Sequence, residues 1–258
     1  KYPIRSESTR AKMYYIEPVK YLKNLSLVWY MPEKFADALD SQPEKVVCHV
    51  LGNEGENSLL AELKKNHLAE SLSCGSFKLG PGNQLFYVDI DLTDDGIKYV
   101  DEVIEKVFQA IADLRDSGIP KYLFDDVQQI SRIKYRYKNR EEIFESLMKE
   151  AMKLPYEHAE TFPLKTDIVQ NFDPLLIKEF IDFLTPWNAE FFMMAPPSLT
   201  HVEPDTTEKW LGVKYAMRPI AKNQMEMWQK ALAVNEIKIP LQNHFIPKDL
   251  SILHAIDV

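Results

Sequence analysis

Between residues 93 and 114 the chain places Ile97, Val100, Ile104, Val107, Phe108, Ile111 and Leu114 at the spacing of one helical face. Thr93 is a suitable N-cap, and Gly118 with Pro120 supplies the stop. Just upstream, "AESLSCGSF" and "QLFYVDIDL" flank "KLGPGN", a Gly-Pro-Gly-Asn turn signal, so residues 69–93 are predicted to form a β-hairpin. A long helix with one apolar stripe has to bury it, and this one is expected to lie across a sheet.

The rest of the chain alternates strands and helices without repeats. "MYYIEPV", "LSLVWYM" and the buried "AEFFMMAP" read as strands, with Met193 and Met194 in the core. "SQPEKVVCHVLG" and Ser58–Lys65 suit short helices, and helical patterns run through Lys121–Lys138 and Glu141–Leu154. In "DPLLIKEFIDFL" Asp173 is placed as N-cap with Pro174 in the first helical position, and "NQMEMWQKAL" gives a Trp-bearing helix. The fold expected is an α+β two-layer sandwich, a largely antiparallel sheet covered on one face by helices. Residues 1–235 read as a single domain. After them "IKIPLQNHFIPKDLSIL" has two prolines and no helical period, so 236–258 is expected to be an extended strap.

Composition narrows the function. With 31 Lys+Arg against 39 Asp+Glu, a net charge of −8, nucleic acid is not an expected partner, because phosphate binding needs a basic surface. The run "RIKYRYKNR", residues 132–140, is accordingly read as the polar face of a helix. No apolar run reaches the length of a membrane span, so no membrane association is expected. "KYPIRSESTR" carries no signal-peptide core, but residue 1 is not Met, which leaves the parent protein's leader open. Cys48 and Cys74 allow one disulfide at most and fit buried apolar positions as well.

Motifs for chemistry are incomplete. "GNEGENS" lacks the Gly-Lys-Ser/Thr ending of a phosphate loop, and "GPGNQL" lacks the third glycine of a dinucleotide fingerprint. No Gly-x-Ser-x-Gly elbow occurs. Of six histidines, only His67 approaches the inverted zinc motif H-x-x-E-H, with Glu70 in place but Ser71 where the second His belongs. Neither a metal nor another cofactor is expected in this chain.

One segment carries more. "HVLGNEGENSLLAELKKNHLAESLSCG" closely resembles the second domain of insulinase/pitrilysin-type zinc metallopeptidases, in which a Gly-x-Glu-Gly turn precedes Ser-Leu-Leu-x-Glu-Leu and a small-residue strand. The likeness continues in "LTDDGIKYVDEVIEKVFQAIADLR", in "TTEKWLGVKY" and in "NHFIPKDLSIL", in the family's order over nearly the whole chain.

The resemblance implies four related domains, in two halves around a closed chamber, with the H-x-x-E-H zinc site in the first. Zinc would then belong to the parent enzyme. There it would polarise the scissile carbonyl while the motif's Glu activates water. In the second domain, the small-residue strand is implied to be an exosite holding the substrate's N-terminal end away from the metal. Carried over, that strand is Leu72, Ser73, Cys74, Gly75 and Ser76, and the glycine turn is Gly52, Asn53, Glu54 and Gly55, with Glu54 suited to attract a free α-amino group. Three departures bear on affinity: Asn53 replaces an expected His, Glu56-Asn57 a Pro-Gly pair, and Cys74 a Gly. The partners implied are a peptide substrate and neighbouring domains of a larger peptidase, in the cytoplasm or periplasm. The alternative is a purely structural or interaction domain of the same fold, with no peptide role.

Overall fold

The computed structural model describes residues 11–251. Its strands are β1 (Lys12–Ile16), β2 (Asn24–Met31), β3 (Ala69–Gly80), β4 (Asn83–Leu92), β5 (Ala189–Met194), β6 (Thr206–Thr207) and β7 (Lys214–Pro219). Between β2 and β3 run α1 (Glu33–Ala36), α2 (Pro43–Leu51) and α3 (Leu59–Lys65). Between β4 and β5 run α4 (Asp94–Lys98), α5 (Val100–Ser117), α6 (Lys121–Arg136), α7 (Ile143–Lys153), α8 (Leu164–Asp167) and α9 (Pro174–Phe183). Later come α10 (Pro197–Thr200) and α11 (Lys222–Gln229). No helix among the described residues is long and apolar enough to cross a membrane.

Alternation along the strands makes the sheet two-faced. In β2, Leu25, Leu27, Trp29 and Met31 are buried, while Asn24, Ser26, Val28 and Tyr30 are half-buried. β4 repeats the pattern with Phe86, Val88, Ile90 and Leu92 inside. The helices cover the apolar face, as ring contacts from Trp29 to Phe108 of α5 and from Phe86 to Phe180 of α9 record. The seven strands run in the order β3-β4-β2-β5-β1-β7-β6, antiparallel throughout except for β1 beside β5. The molecule is thus the α+β two-layer arrangement expected, with β3 and β6 at the sheet's two edges. Met193 enters the core; Met194, one residue on, points to the other face and is half-buried.

Local signals place most elements. Ser58 Oγ accepts the Ala61 N–H at 3.1 Å and opens α3, and Asp173 Oδ1 accepts the Leu176 N–H at 3.0 Å ahead of Pro174. Thr93 Oγ1 accepts the Gly96 N–H at 2.9 Å, as its N-cap reading requires. The helix it opens is not continuous. It stops at Lys98, turns at Tyr99 (φ −109°, ψ 36°) and restarts as α5. A Cβ on Gly96 would lie 1.9 Å from the Leu68 carbonyl oxygen, so the first turns are pressed on the backbone that leads into β3. α5 then lies over β2, where the Phe108 ring meets Trp29.

α7 forms where the helical pattern puts it, capped by Glu142; none of its residues is buried, and Ile143, Phe144, Leu147 and Met148 are exposed. One further expectation changes. "RIKYRYKNR" is helical only to Arg136; Tyr137 ends the helix, and Lys138–Arg140 belong to an exposed connection.

From Glu236 to Ser251 there is no helix or strand. Ile237 is buried, and Asp113 accepts both the Lys238 ammonium (2.9 Å) and the Ile239 N–H (3.1 Å). Tyr122 donates to the Pro240 carbonyl, Asp126 accepts the Asn243 N–H and Tyr137 donates to the Leu250 carbonyl, so this stretch is tied along α5 and α6. Positions 252–258 lie outside the described residues.

The contact at Gly96 gives a prediction. Gly96→Ala forces backbone apart at Leu68 and should destabilise the fold by about 1–3 kcal/mol, more than its gain in helix propensity. Urea unfolding measures this, and an equal or higher midpoint would contradict the packing described.

Candidate functional site

The structure brings the two predicted segments together. α2 ends at Gly52, whose N–H donates to the Cys48 carbonyl at 2.9 Å. A Cβ on Gly52 would sit 2.9 Å from that carbonyl oxygen, a contact glycine avoids, and 3.6 Å from Cys74 Cβ, ordinary packing distance, so the helix end abuts β3. Asn53 Oδ1 accepts the Gly55 N–H at 2.8 Å and closes the turn, leaving Glu54 and Gly55 exposed. Asn57 adopts φ +58°, a conformation Asn tolerates.

Among the described residues β3 is an edge strand, paired only with β4. Leu72 is buried, Cys74 and Gly75 are half-buried, and Ser73 and Ser76 are exposed. Gly75 stands opposite Tyr87, whose ring folds over it: a Cβ on Gly75 would lie 2.3 Å from the Tyr87 hydroxyl oxygen. Burial, and then the Asp89 carboxylate, push the Tyr87 phenol up.

Beside this edge lies a cleft of about 870 Å³ that sequence reasoning missed. Cys74, Gly75 and Ser76 form one wall, with Lys45, Cys48 and His49 of α2 next to them. Those three stand at i, i+3 and i+4 of one helix, the signal that would have found them. The far side is made by α6 and α7 through Tyr135 and Met152. Ion pairs hold that side: Lys138 to Glu150 (2.9 Å), Lys149 to Glu141 (3.0 Å) and Lys153 to Asp167 (2.7 Å). Burial pushes the Lys45 ammonium and the His49 imidazole down from their usual values, and pushes the Glu44 carboxyl up. Burial thus favours uncharged forms on the α2 wall alone; the α6–α7 side carries Lys134, Lys138, Lys149 and Lys153, and the hydrogen bond to Glu150 pushes the Lys138 ammonium up.

Zinc does not fit these residues. His67 lies beyond the end of α3, in the left-handed region at φ +57°, rather than on a helical turn that aims two imidazoles together. Ser71, at the missing ligand's position, donates to Asp91 at 2.6 Å. Among the described residues no group of three or more His, Cys, Asp or Glu side chains is placed to hold a metal.

Two measurements follow from this geometry. After exhaustive dialysis the chain should carry no stoichiometric zinc by elemental analysis; one zinc per chain, lost in His67→Ala, would overturn that. His49 has its folded pKa below its unfolded value of 6.5, so the folded state resists protonation. The stability this confers is present above pH 6.5 and is lost as the pH falls through the folded pKa. Unfolding followed against pH should show His49→Gln losing less stability than wild type over that acid window.

Comparison with known proteins places the chain in a family. The description "Peptidase M16 inactive domain" matches residues 2–131, and "Middle or third domain of peptidase_M16" matches residues 135–257. The join falls at the end of α6, while one sheet runs through both parts. The A-factor-processing enzyme of Saccharomyces cerevisiae is 28% identical over 97% of this chain and 24% of its own length. The insulin-degrading enzyme of Homo sapiens is 28% identical over 98% of this chain and 24% of its own, and a nardilysin-like protein of Arabidopsis thaliana 30% identical over 93% and 24%. The chain thus spans about a quarter of the length of these relatives. A crystal structure of pitrilysin superposes with a TM-score of 0.89 at 21% identity, over 98% of this chain and 27% of that one, and shows the shared fold. The chain belongs to the M16 peptidases, the insulinase/pitrilysin family, and corresponds to a non-catalytic part of them.

Proposed function

We propose that this chain is the substrate-holding part of a larger zinc metallopeptidase, in which β3 takes an extended peptide by strand addition and the turn at Gly52–Gly55 receives its free amino end. The observation that carries this reading is the pairing of an edge strand with a cleft: the outer row of β3 N–H and C=O groups stands where a further strand would bind. Small residues at Ser73–Ser76 keep side chains out of the way, and exposed Glu54 supplies the charge opposite an α-ammonium. Residues 1–235 act in this reading as one unit, and 236–258 lead toward the next domain. Zinc and the water-activating Glu belong to another domain of the parent, so the chain by itself holds peptide without cleaving it.

A second reading has its own support. The outward apolar face of α7, with Ile143, Phe144 and Leu147, needs a cover, and the relatives are four times as long as this chain. In that reading the chain is a structural partner for neighbouring domains and β3 only completes the sheet.

Amide NMR separates the two. Titration with an extended peptide bearing a free amino terminus should shift residues 52–55 and 72–76, and N-acetylation of the peptide should weaken the response. Affinity is expected to be weak, since each backbone hydrogen bond contributes only about 0.5–1.5 kcal/mol after desolvation. Cys74→Gly should keep or strengthen binding, and Gly75→Pro should abolish it. Shifts confined to α7, or an undiminished response in a well-folded Gly75→Pro chain, would leave the structural reading.

A further inference from the structure

Cys48, on the C-terminal half of α2, and Cys74, on the edge strand, bring their sulfurs to 2.6 Å, and both are free thiols. Both also line the 870 Å³ cleft, which admits small solutes. We propose that Cys48 and Cys74 are a redox pair that closes to an intramolecular disulfide by exchange with a small disulfide of the glutathione type, stapling α2 to β3. The end of α2 already packs on β3 at this point, with Gly52, four residues after Cys48, beside Cys74. With the sulfurs already at 2.6 Å, bond formation needs only a short further approach of the two side chains.

The exchange balances as two displacements. The Cys48 thiolate attacks one sulfur of the small disulfide, breaking its S–S bond and expelling one thiolate. Cys74 then gives up its proton, and its sulfur attacks the Cys48 sulfur of the mixed disulfide, expelling the second thiolate. Two protein thiols are oxidised, one small disulfide is reduced to two small thiols, and the protons released by the protein end on the leaving groups. Burial pushes the Cys74 thiol up, which leaves Cys48 as the attacking sulfur and Cys74 as the resolving one.

The staple would close a loop, 26 positions from Cys48 to Cys74, that contains the glycine turn and α3. Closing it removes conformations from the unfolded chain. It also fixes one wall of the cleft, whatever that cleft binds, so the inference stands apart from the peptide-holding reading. The competing account is that two small, half-buried side chains pack together and stay reduced.

The test uses the 258-residue chain. It is equilibrated with graded ratios of oxidised to reduced glutathione, quenched with an alkylating reagent, weighed intact and then digested. The expected result is an unalkylated species lighter by two hydrogens, a cross-linked peptide pair joining Cys48 to Cys74, and recovery of both thiols with dithiothreitol. The oxidised chain should melt at a higher temperature, a rise absent in Cys48→Ser. Complete alkylation of both thiols at the most oxidising ratio, or an end product that is only a glutathione adduct or an intermolecular dimer, would overturn the proposal. The wild-type mass decides by itself, so a variant that fails to fold does not blunt the experiment.

Discussion

The indole of Trp29 fixes the arrangement on which the rest of the molecule depends. It is fully buried at the middle of β2, and its N–H donates to the Thr185 carbonyl at 3.1 Å, which ties the sheet to the chain leaving α9. A buried indole needs that partner, so the contact sets orientation as well as burial. Its ring meets Phe108 of α5 edge-on at 6.4 Å and Phe86 of β4 at 5.9 Å; Phe86 in turn meets Phe180 of α9, which meets Phe35 of α1, at 5.1 Å each. Aromatic pairs of this kind contribute about 0.5–1.5 kcal/mol beyond the area they bury. More important here, the series links two strands and three helices that are far apart in sequence.

The edge strand inherits its position from that cluster. β4 is held between β2 and β3, so burying Phe86 and Val88 sets the register of the whole hairpin and leaves β3 outermost. α2 then packs on β3 from the helical side, which puts Cys48 against Cys74. The cleft is what remains between this firm wall and α7. That helix is attached by ion pairs rather than by buried side chains, and exposed pairs are worth only about 0–1 kcal/mol each. One side of the cleft is therefore rigid and the other weakly fastened, a combination that suits accommodation of a ligand.

Much of this was legible in the residues. The hairpin turn at Pro81-Gly82, the caps Thr93 and Asp173, and the apolar stripe of α5 are short-range physics, and each appears where the sequence puts it. The glycine turn and the small-residue strand were legible through the family pattern, and the structure sets them side by side. The break at Tyr99 was not legible, because the stripe from Ile97 to Leu114 keeps its period across it; nor was the Leu68 backbone that faces Gly96 in the turn before it, a contact made from outside the helix. Nor was the exposure of α7, whose pattern of Ile143, Phe144, Leu147 and Met148 is that of any helix that buries a face.

By itself, then, the sequence determined most of the longer helices and the strands β1 to β5, and which face of α5 is apolar, since these follow from hydrogen bonding and side-chain period within a few residues; the short α1, α8 and α10 and the strands β6 and β7 carried no such signal. It also determined that His67 lacks a second imidazole at the required spacing. Only the tertiary structure decided the strand order, with β5 inserted between β2 and β1 and parallel to the latter, because that pairing joins segments separated by most of the chain. It decided too that β3 is an edge, that a cleft opens beside it, and that Cys48 meets Cys74. These are relations between surfaces, and no local pattern encodes which surfaces a folded chain leaves facing each other.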